Sequence, residues 1–340
     1  MLFRAIKKKS GRMILQGGHK AVSSSLLSKL ERSSDGTMDI RASLKEGIAR
    51  LRAANVASHT LAAELLLMHA LGRDRTWLYT HAEEPVDPAA AENYFVLVAR
   101  RAAGEPTQYL IGKQEFWGLE FEVTPAVLIP RPETEHVIEV ALERLGARGI
   151  KRDRSTGAPS PRLRIADVGT GSGCIAIALA HELPHAEILA TDISAAALEV
   201  ARHNAGSHGV SERIQFEQTN LLEALLHESR ITSHESRLFD LIVSNPPYVA
   251  RDEASSLSRE VREYEPHEAL FGGAAGSEIY ARLIEQAGAL LRLGGILVLE
   301  LGYGQAPHVR ALLEAQPGWS DIQMTNDLAG IPRVISAARR

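Results

Sequence analysis

Residues 164–174, Arg-Ile-Ala-Asp-Val-Gly-Thr-Gly-Ser-Gly-Cys, decide the fold, because an apolar strand pattern runs there into a glycine-rich turn. The apolar run at 175–180 follows at once and predicts a helix. Glycines let a backbone turn tightly and approach a ligand without Cβ clashes, and a helix start offers exposed N–H groups. A strand, a glycine turn and a helix in this order are typical of ligand-binding α/β folds.

Strand and helix patterns alternate from this stretch to the end of the chain. Strands are predicted at 164–168, 187–191, 213–217, 238–243, 296–301, 319–324 and 333–337, and helices at 173–182, 194–207 and 277–292. Such alternation predicts a mostly parallel sheet with helices on both faces. We therefore expect an α/β, Rossmann-like fold with seven strands, of which the last two form a short pair.

Asp192 closes the second predicted strand, nineteen residues after Gly173. A carboxylate at that place can accept hydrogen bonds from both ribose hydroxyls of an adenosine-containing ligand. A glycine-rich turn alone fits nicotinamide, flavin or S-adenosylmethionine. The Gly-x-Gly-x-Gly spacing of 169–173 differs from the six-residue dinucleotide fingerprint, and it favours a mononucleoside such as S-adenosylmethionine.

A second motif, Asn245-Pro246-Pro247-Tyr248, follows the apolar strand pattern at 240–244. Ligands bind beyond the carboxyl ends of strands in open α/β sheets, so this motif and the glycine turn should face one crevice. The Asn245 side-chain oxygen and the Pro246 carbonyl can both accept from one planar –NH2 group, and Tyr248 offers a flat stacking face. Two acceptors raise the electron density on a nitrogen whose lone pair is delocalised. The motif therefore favours methyl transfer to an amide-type nitrogen, with the remaining catalysis supplied by alignment.

The part of the chain before residue 107 has a different, helical pattern. Apolar residues recur at helical spacing from Ile40 to Leu51. Ser58 is predicted to cap a second helix that Gly72 ends, and Pro88 starts a third that ends near Gly104. Residues 38–106 are thus predicted to form a small helical domain that recognises a substrate.

The segment 107–130 contains Phe116-Trp117-Gly118-Leu119-Glu120-Phe121, which alternates around a glycine. This pattern predicts a β-hairpin, and we expect it to link the helical domain to the α/β domain at 131–340.

The sequence resembles the release factor glutamine methyltransferase family from Met38 to its end. The resemblance rests on the glycine turn, on Asn-Pro-Pro-Tyr, and on three further stretches: Tyr109-Leu110-Ile111-Gly112 leading to Phe116-Trp117, Leu128-Ile129-Pro130-Arg131-Pro132-Glu133-Thr134-Glu135, and Tyr264-Glu265-Pro266 followed by Ala269-Leu270. It implies a class I methyltransferase sheet in the α/β domain. The implied activity is transfer of a methyl group from S-adenosylmethionine to the glutamine amide nitrogen (N5) in the Gly-Gly-Gln motif of class I peptide chain release factors.

The resemblance also implies roles for individual residues. It places Gly169, Thr170, Gly171, Ser172 and Gly173 around the methionine part of S-adenosylmethionine, Asp192 at the ribose, and Asn220 and Leu221 near the adenine. Asn220 stands where the family usually has an acidic residue. Asn245, Pro246, Pro247 and Tyr248 receive the glutamine amide, with Asn245, Pro246 and Tyr248 as the catalytic groups and Asn245 also bordering the cofactor. The helical domain and the hairpin would hold the release factor.

Composition excludes several other classes of protein. The chain has 340 residues, 45% of them hydrophobic, and a net charge of −4, which is typical of soluble globular proteins. No apolar run approaches the roughly 18 residues that a membrane span needs. Cys174 is the only cysteine, which excludes a disulfide framework and a multi-cysteine metal site, and we expect no bound metal.

Residues 1–37 differ in charge from the rest, with eight basic and two acidic side chains. We expect a disordered basic extension and a cytoplasmic protein, with organellar import only if this segment is a genuine transit peptide. The remaining chain is acidic, so stable binding to nucleic acid is not expected.

Parts of the sequence also fit four other functions. His181-Glu182-Leu183-Pro184-His185 matches a zinc signature literally, but its proline disfavours the continuous helix that the signature needs. An adenine-N6 methyltransferase of nucleic acid uses the same Asn-Pro-Pro-Tyr logic, yet the chain lacks a large target-recognition domain. A ribosomal-protein glutamine methyltransferase is a closer alternative. A noncatalytic binding module is disfavoured because both motifs are complete.

Overall fold

The computed structural model describes residues 38–147, 163–228 and 238–340. The predicted basic extension at 1–37 lies outside the described residues. No helix within the described ranges is long and apolar enough to cross a membrane.

The helical part contains five helices. They are α1 (Ile40–Ala53), α2 (His59–Leu71), α3 (Arg75–Thr80), α4 (Pro88–Ala102) and α5 (Thr107–Ile111). The first, second and fourth confirm the three predicted helices, whereas α3 and α5 were not predicted. Leu51, Leu66, Tyr94 and Val98 are fully buried in their shared core. Gly47 permits this packing, because a Cβ there would collide with the Tyr94 ring.

The prediction that Ser58 caps α2 with its side chain is wrong. Ser58 does precede the helix, but its φ of 50° is left-handed and its side chain makes no capping hydrogen bond. Asp39 and Asp87 do cap α1 and α4 through their carboxylates. Gly72, with φ of 61°, follows the last residue of α2 as predicted.

The hairpin consists of β1 (Lys113–Phe116) and β2 (Leu119–Glu122), paired antiparallel. Trp117 and Gly118 form its turn with φ of 56° and 70°, the left-handed pair that a two-residue hairpin turn requires. The β-hairpin predicted from the alternation around Gly118 is confirmed. The hairpin occupies less of the segment 107–130 than expected, because α5 takes up its first five residues.

Seven strands form the large sheet. They are β3 (Leu163–Val168), β4 (Ala186–Asp192), β5 (Ile214–Gln218), β6 (Phe239–Ser244), β9 (Leu291–Glu300), β10 (Trp319–Asn326) and β11 (Pro332–Arg339). Their order is β10-β11-β9-β6-β3-β4-β5, with only β11 running against the others. The predicted seven-stranded α/β fold with a final strand pair is confirmed.

Helices cover both faces of this sheet. One layer contains α6 (Glu135–Ala147), α7 (Cys174–Glu182) and α8 (Ala195–Ser207). The other contains α9 (Glu223–Glu228), α12 (Glu278–Leu290) and α13 (Ala306–Glu314). Strand β6 shows why both are needed: Leu241 and Val243 lie in the first core, while Ile242 lies in the second. Alternate side chains of a strand point to opposite faces, and all of these are apolar.

A bridging segment, residues 251–273, joins the sheet to the helical part. It follows β7 (Val249–Ala250) and contains α10 (Arg259–Tyr264), α11 (His267–Leu270) and β8 (Phe271–Gly273); β7 pairs with β8. The buried Arg101 of α4 donates to Glu260 of α10 at 2.5 Å. This contact fixes the helical part beside the carboxyl ends of the central strands.

Candidate active site

The two central strands β3 and β6 end side by side. Val168 and Ser244 are register partners, and the Ser244 hydroxyl donates to the Val168 carbonyl at 2.6 Å. The glycine turn and the Asn-Pro-Pro-Tyr motif therefore begin at the same level of the sheet. A cavity of about 720 Å³ lies there and is lined by both motifs.

The glycine turn contains three residues with a positive φ, which is 72° at Gly169, 56° at Gly171 and 83° at Gly173. A Cβ on Gly169 or Gly171 would meet no atom within 4 Å, so the backbone there faces open space in the cavity. A Cβ on Gly173 would lie 3.2 Å from the Ala201 Cβ of α8. Gly173 therefore permits helix packing, and it does not line the cavity.

Asp192, at the end of β4, holds the glycine turn from the side. Its two carboxylate oxygens accept from the Gly171 and Ser194 N–H groups, each at 2.9 Å. Burial raises the pKa of Asp192, and the backbone donors oppose that rise. Each oxygen keeps a further lone pair, so Asp192 can still accept from a ligand hydroxyl in the cavity that it lines.

Asp167 supports the turn from inside the sheet. Its Oδ2 accepts from the Thr170 hydroxyl at 2.6 Å and from the Ala176 N–H at 3.1 Å. Both the turn and the start of α7 are thereby tied to β3. Asp167 is fully buried and is not a cavity-lining residue.

Asn220 and Leu221 line the cavity just beyond the end of β5. Leu221 adopts a left-handed φ of 56°, which is uncommon for a residue with a branched side chain. The next residue, Leu222, is fixed because its N–H donates to the Gln286 side chain of α12 at 2.8 Å. The chain is thus held in a strained turn at the cavity wall.

The Asn245 amide is held by a chain of two hydrogen bonds. Its Nδ2 donates to the Thr134 hydroxyl at 3.1 Å, and that hydroxyl donates to Glu300 Oε2 at 2.6 Å. Among the described residues, no donor reaches Asn245 Oδ1. Since Asn245 lines the cavity, its amide can offer that oxygen to a ligand.

The rest of the motif is packed closely against glycines. A Cβ on Gly272 would lie 2.5 Å from the Pro247 carbonyl oxygen, and one on Gly302 would lie 2.6 Å from the Tyr248 ring. Pro247 lines the cavity, whereas Pro246 and the Tyr248 ring do not. Tyr248 instead packs against the core beneath α12, and burial raises the pKa of its hydroxyl.

The cavity thus brings together most of the predicted site. The residues that line it are Gly169, Thr170, Gly171, Ser172, Asp192, Asn220, Leu221, Asn245 and Pro247. Gly173, Pro246 and Tyr248 lie outside the lining. The roles assigned to all twelve residues, inside and outside the lining, stay predictions.

Sequence reasoning missed four residues that build the site. Thr134 and Glu300 hold Asn245, and Arg131 donates to both oxygens of the buried Glu265 at 2.6 and 2.7 Å. The Arg131–Glu265 pair ties the loop before α6 to the bridging segment, and both of these segments contribute residues to the cavity lining. Arg131, Thr134 and Glu265 were quoted only as part of the resemblance, and no pattern in the sequence pairs them with their partners.

The literal zinc signature does not form a helical pair. Helix α7 ends at Glu182, and Glu182 Oε1 accepts from the Trp117 indole N–H at 2.9 Å. His185 therefore lies beyond the helix that carries His181, as we expected from the proline at position 184. Within the described ranges, no three His, Cys, Asp or Glu side chains are grouped to hold a metal ion.

From two buried carboxyl groups near the cavity we predict that the free energy of unfolding decreases at higher pH. Burial raises the pKa of both Asp167 and Glu300 to about 7. In the unfolded chain both ionise near pH 4, roughly, so the folded state keeps protons that the unfolded state has released. The free energy of unfolding should therefore fall as pH rises above about 4 and through about 7. The carboxyl groups with lowered pKa, at Glu263, Glu278 and Asp327, act below this window.

Scanning calorimetry from about pH 5 to about pH 9 checks this prediction, and Tm should decline by several degrees across the range. Glu300→Gln removes one carboxyl with a raised pKa while keeping an acceptor for Thr134, so its decline should be shallower. Asp167 still titrates in this variant, as do Asp192 and Glu265, whose pKa values burial also raises. A Tm that rises with pH, or parallel curves for the two proteins, would show that these carboxyls do not control stability.

Known protein families match both the helical part and the sheet-containing part of this chain. A family model described as "PrmC N-terminal domain" matches residues 42–112, and one described as "Methyltransferase small domain" matches residues 157–261. The release factor glutamine methyltransferase of Koribacter versatilis (strain Ellin345) is 41% identical over 298 residues, which are 88% of this chain and 98% of the relative. That of Bradyrhizobium diazoefficiens is 44% identical over 291 residues, 86% of this chain and 92% of the relative.

A solved structure is similar over a smaller share of the chain. It is titled as a ribosomal protein L11 methylase from Lactobacillus delbrueckii subsp. bulgaricus, with 26% identity and a TM-score of 0.40 over 62% of this chain and 80% of its own. The two sequence relatives instead cover both the helical part and the sheet.

Proposed function

Since the chain belongs to the release factor glutamine methyltransferase family, we propose that it methylates the glutamine amide nitrogen (N5) of the Gly-Gly-Gln motif in class I release factors. The methyl donor is S-adenosylmethionine, which supplies an electrophilic methyl group. The chain is a methyltransferase enzyme, as its family and its methyltransferase domain indicate. The proposal concerns its substrate, its cofactor and the residues that serve them.

One observation carries the proposal. A single cavity is lined both by the glycine turn and by an asparagine amide whose nitrogen is already bound to Thr134. The cavity therefore has a place for a nucleoside beside an oxygen acceptor that is free to take a proton-bearing group. This pairing is what transfer to an amide nitrogen requires.

The acceptors act on a poor nucleophile. The lone pair of an amide nitrogen is delocalised into its carbonyl, so the nitrogen must gain electron density before it attacks. Asn245 Oδ1, which faces the cavity, would accept one N–H hydrogen of the substrate amide. The Pro246 carbonyl is the second acceptor that the motif predicts, and it would have to become accessible when substrate binds, because Pro246 does not line the cavity. Fixed acceptors of this kind also orient the lone pair toward the methyl group, which lowers the barrier without a strong base. As the N–C bond forms, the bond between the methyl group and the sulfonium sulfur would break and leave the uncharged thioether S-adenosylhomocysteine. The methylated amide would then release its extra proton to water.

The cofactor fits the other half of the cavity. Gly169 and Gly171 leave open space where a Cβ would project, and Asp192 retains lone pairs for the two ribose hydroxyls. Thr170 and Ser172 would lie along the methionine part, with Gly173 behind them. Asn220 and Leu221 would border the adenine. Asn220 can hydrogen-bond an adenine edge although it carries no charge.

The release factor would enter past the bridging segment. The Arg101–Glu260 and Arg131–Glu265 pairs join the helical part, the loop before α6 and the bridging segment into one rim of the cavity. A macromolecular substrate that presents a glutamine on a loop could contact the helical part and the hairpin while the side chain enters. We propose neither a stable nucleic-acid complex nor a membrane contact.

A radiolabelled methyl-transfer assay tests the proposal. The purified protein is incubated with labelled S-adenosylmethionine and, in separate reactions, a class I release factor, a ribosomal protein fraction or duplex DNA. Label should appear in the release factor and should be absent when its Gly-Gly-Gln glutamine is replaced. Label in the ribosomal fraction or in DNA instead would retain the methyltransferase chemistry and overturn the proposed substrate.

A further inference from the structure

We propose that Thr134 and Glu300 are positioning residues that set which end of the Asn245 amide faces the substrate. This inference rests on the proposed function, because the amide end matters only if Asn245 accepts from the substrate. Thr134 closes the short 3-10 helix Pro132–Thr134, and Glu300 ends β9, so three separate elements meet at this point. Both side chains are almost completely buried.

The direction of the hydrogen bonds gives the argument. A threonine hydroxyl has one hydrogen, and Thr134 donates it to the Glu300 carboxylate, whose Oε2 lies at 2.6 Å. Since burial raises the pKa of Glu300 to about 7, this direction holds above that pH, where Glu300 is ionised. The hydroxyl can then only accept from its other neighbour, which is Asn245 at 3.1 Å. Asn245 must therefore turn its NH2 toward Thr134, and its Oδ1 is left for the cavity.

Without this constraint the amide could rotate by half a turn. Oxygen and NH2 have nearly the same shape, so packing alone discriminates weakly between the two orientations. In the reversed orientation Asn245 would present an NH2 group to the NH2 of the substrate, and two donors cannot bond each other. Methyl transfer would then proceed only from the fraction of molecules with Oδ1 facing the cavity.

Glu300 is suited to fix the hydroxyl direction. Its backbone carbonyl accepts from the buried Tyr280 hydroxyl at 2.9 Å, which holds the end of β9. The groups that face its carboxyl are Thr134, Glu133, Arg333 and Tyr248. Of these groups, Thr134 donates a hydrogen bond to the carboxyl, and it thereby links Asn245 to Glu300.

A double-mutant cycle tests the inference. Thr134→Val keeps the side-chain shape without the hydroxyl, and we expect kcat to fall about tenfold because the acceptor is no longer fixed in place. KM for the release factor and Kd for S-adenosylmethionine should change less than about twofold. In an Asn245→Ala background the same change should have no further effect, since the two residues act as one unit. Thr134→Ser, which restores the hydroxyl, should recover most of kcat.

Thr325→Val is the matched control, because Thr325 of β10 makes the same change of side chain at a position outside the cavity lining, and its hydroxyl bonds no carboxylate within the described residues. It should leave kcat unchanged. A wild-type kcat in Thr134→Val, or full additivity with Asn245→Ala, would overturn the positioning role.

A second measurement does not depend on the substrate. In protein labelled with ¹⁵N-asparagine, the Asn245 side-chain NH2 resonances are assigned by their loss in Asn245→Ala. They should exchange slowly with water in the wild type and shift or broaden in Thr134→Val, but not in Thr325→Val. Unaltered resonances in Thr134→Val overturn the inference even if the release factor proves not to be the substrate. A wild-type protein that leaves the release factor unmethylated overturns only the proposed function.

Discussion

Replacing Asn245 by alanine should lower kcat by about 100- to 1,000-fold, the usual cost of removing one fixed hydrogen-bonding group from a reacting centre. The side chain lines the cavity and is already bound through Nδ2 to Thr134, so its oxygen is the group lost to the substrate. Cofactor binding should persist, because the glycine turn and Asp192 belong to other strands. Steady-state kinetics give kcat, and calorimetry gives Kd for S-adenosylmethionine.

Asn326→Ala is a suitable control, since Asn326 is an exposed asparagine at the end of β10. It should leave both quantities unchanged. Equal losses of kcat and cofactor affinity in Asn245→Ala would indicate that Asn245 maintains the cavity and does not act on the substrate.

Replacing Asp192 by alanine should weaken S-adenosylmethionine binding by about 1–3 kcal/mol, the range for a lost charge-assisted hydrogen bond. The change removes both proposed ribose acceptors. It also removes the acceptor of the hydrogen bonds that the Gly171 and Ser194 N–H groups donate to Asp192, so the glycine turn loses a support. Titration calorimetry with S-adenosylmethionine measures the effect directly.

Two comparisons sharpen that test. Asp192→Asn can accept fewer hydrogen bonds and carries no charge, so its affinity should lie between wild type and Asp192→Ala. Glu212→Ala removes an exposed carboxylate from the 3-10 helix Ser211–Arg213 and should have no effect. An Asp192→Ala protein with wild-type Kd would remove Asp192 from the cofactor site.

The fold could be predicted from sequence because its signals are local. The buried strands β3 and β6 are short apolar runs, each followed at once by its motif, and alternation of strands with helices restricts the sheet to few arrangements. The carboxyl ends of parallel strands meet at one edge, which is why Gly169 and Asn245 could be expected in one crevice. The cavity brings them together there.

Side-chain partners at the site could not be predicted in the same way. Thr134 lies 111 residues from Asn245 and 166 residues from Glu300, and only the folded chain brings the three together. A lone glutamate at the end of a strand has no pattern that names its partner. For the same reason, no local pattern indicates that Gly173 packs against α8 or that the Tyr248 ring lies outside the cavity lining.

Local conformation also limited the predictions. Serine before an apolar helical pattern usually caps the helix, but Ser58 adopts a left-handed φ that turns its hydroxyl away from that use. The segment 107–130 was assigned to the hairpin as a whole. Its first residues instead form α5, whose Leu110 packs into the core of the helical part, so tertiary burial decided the local structure.

Tandem mass spectrometry of the release factor after incubation with the wild-type protein and S-adenosylmethionine tests the central claim most directly. We expect one added methyl group, located by fragmentation on the side-chain amide of the Gly-Gly-Gln glutamine, and none with Asn245→Ala. A methyl group on any other residue, or an unmodified release factor beside labelled DNA or ribosomal protein, would contradict the account.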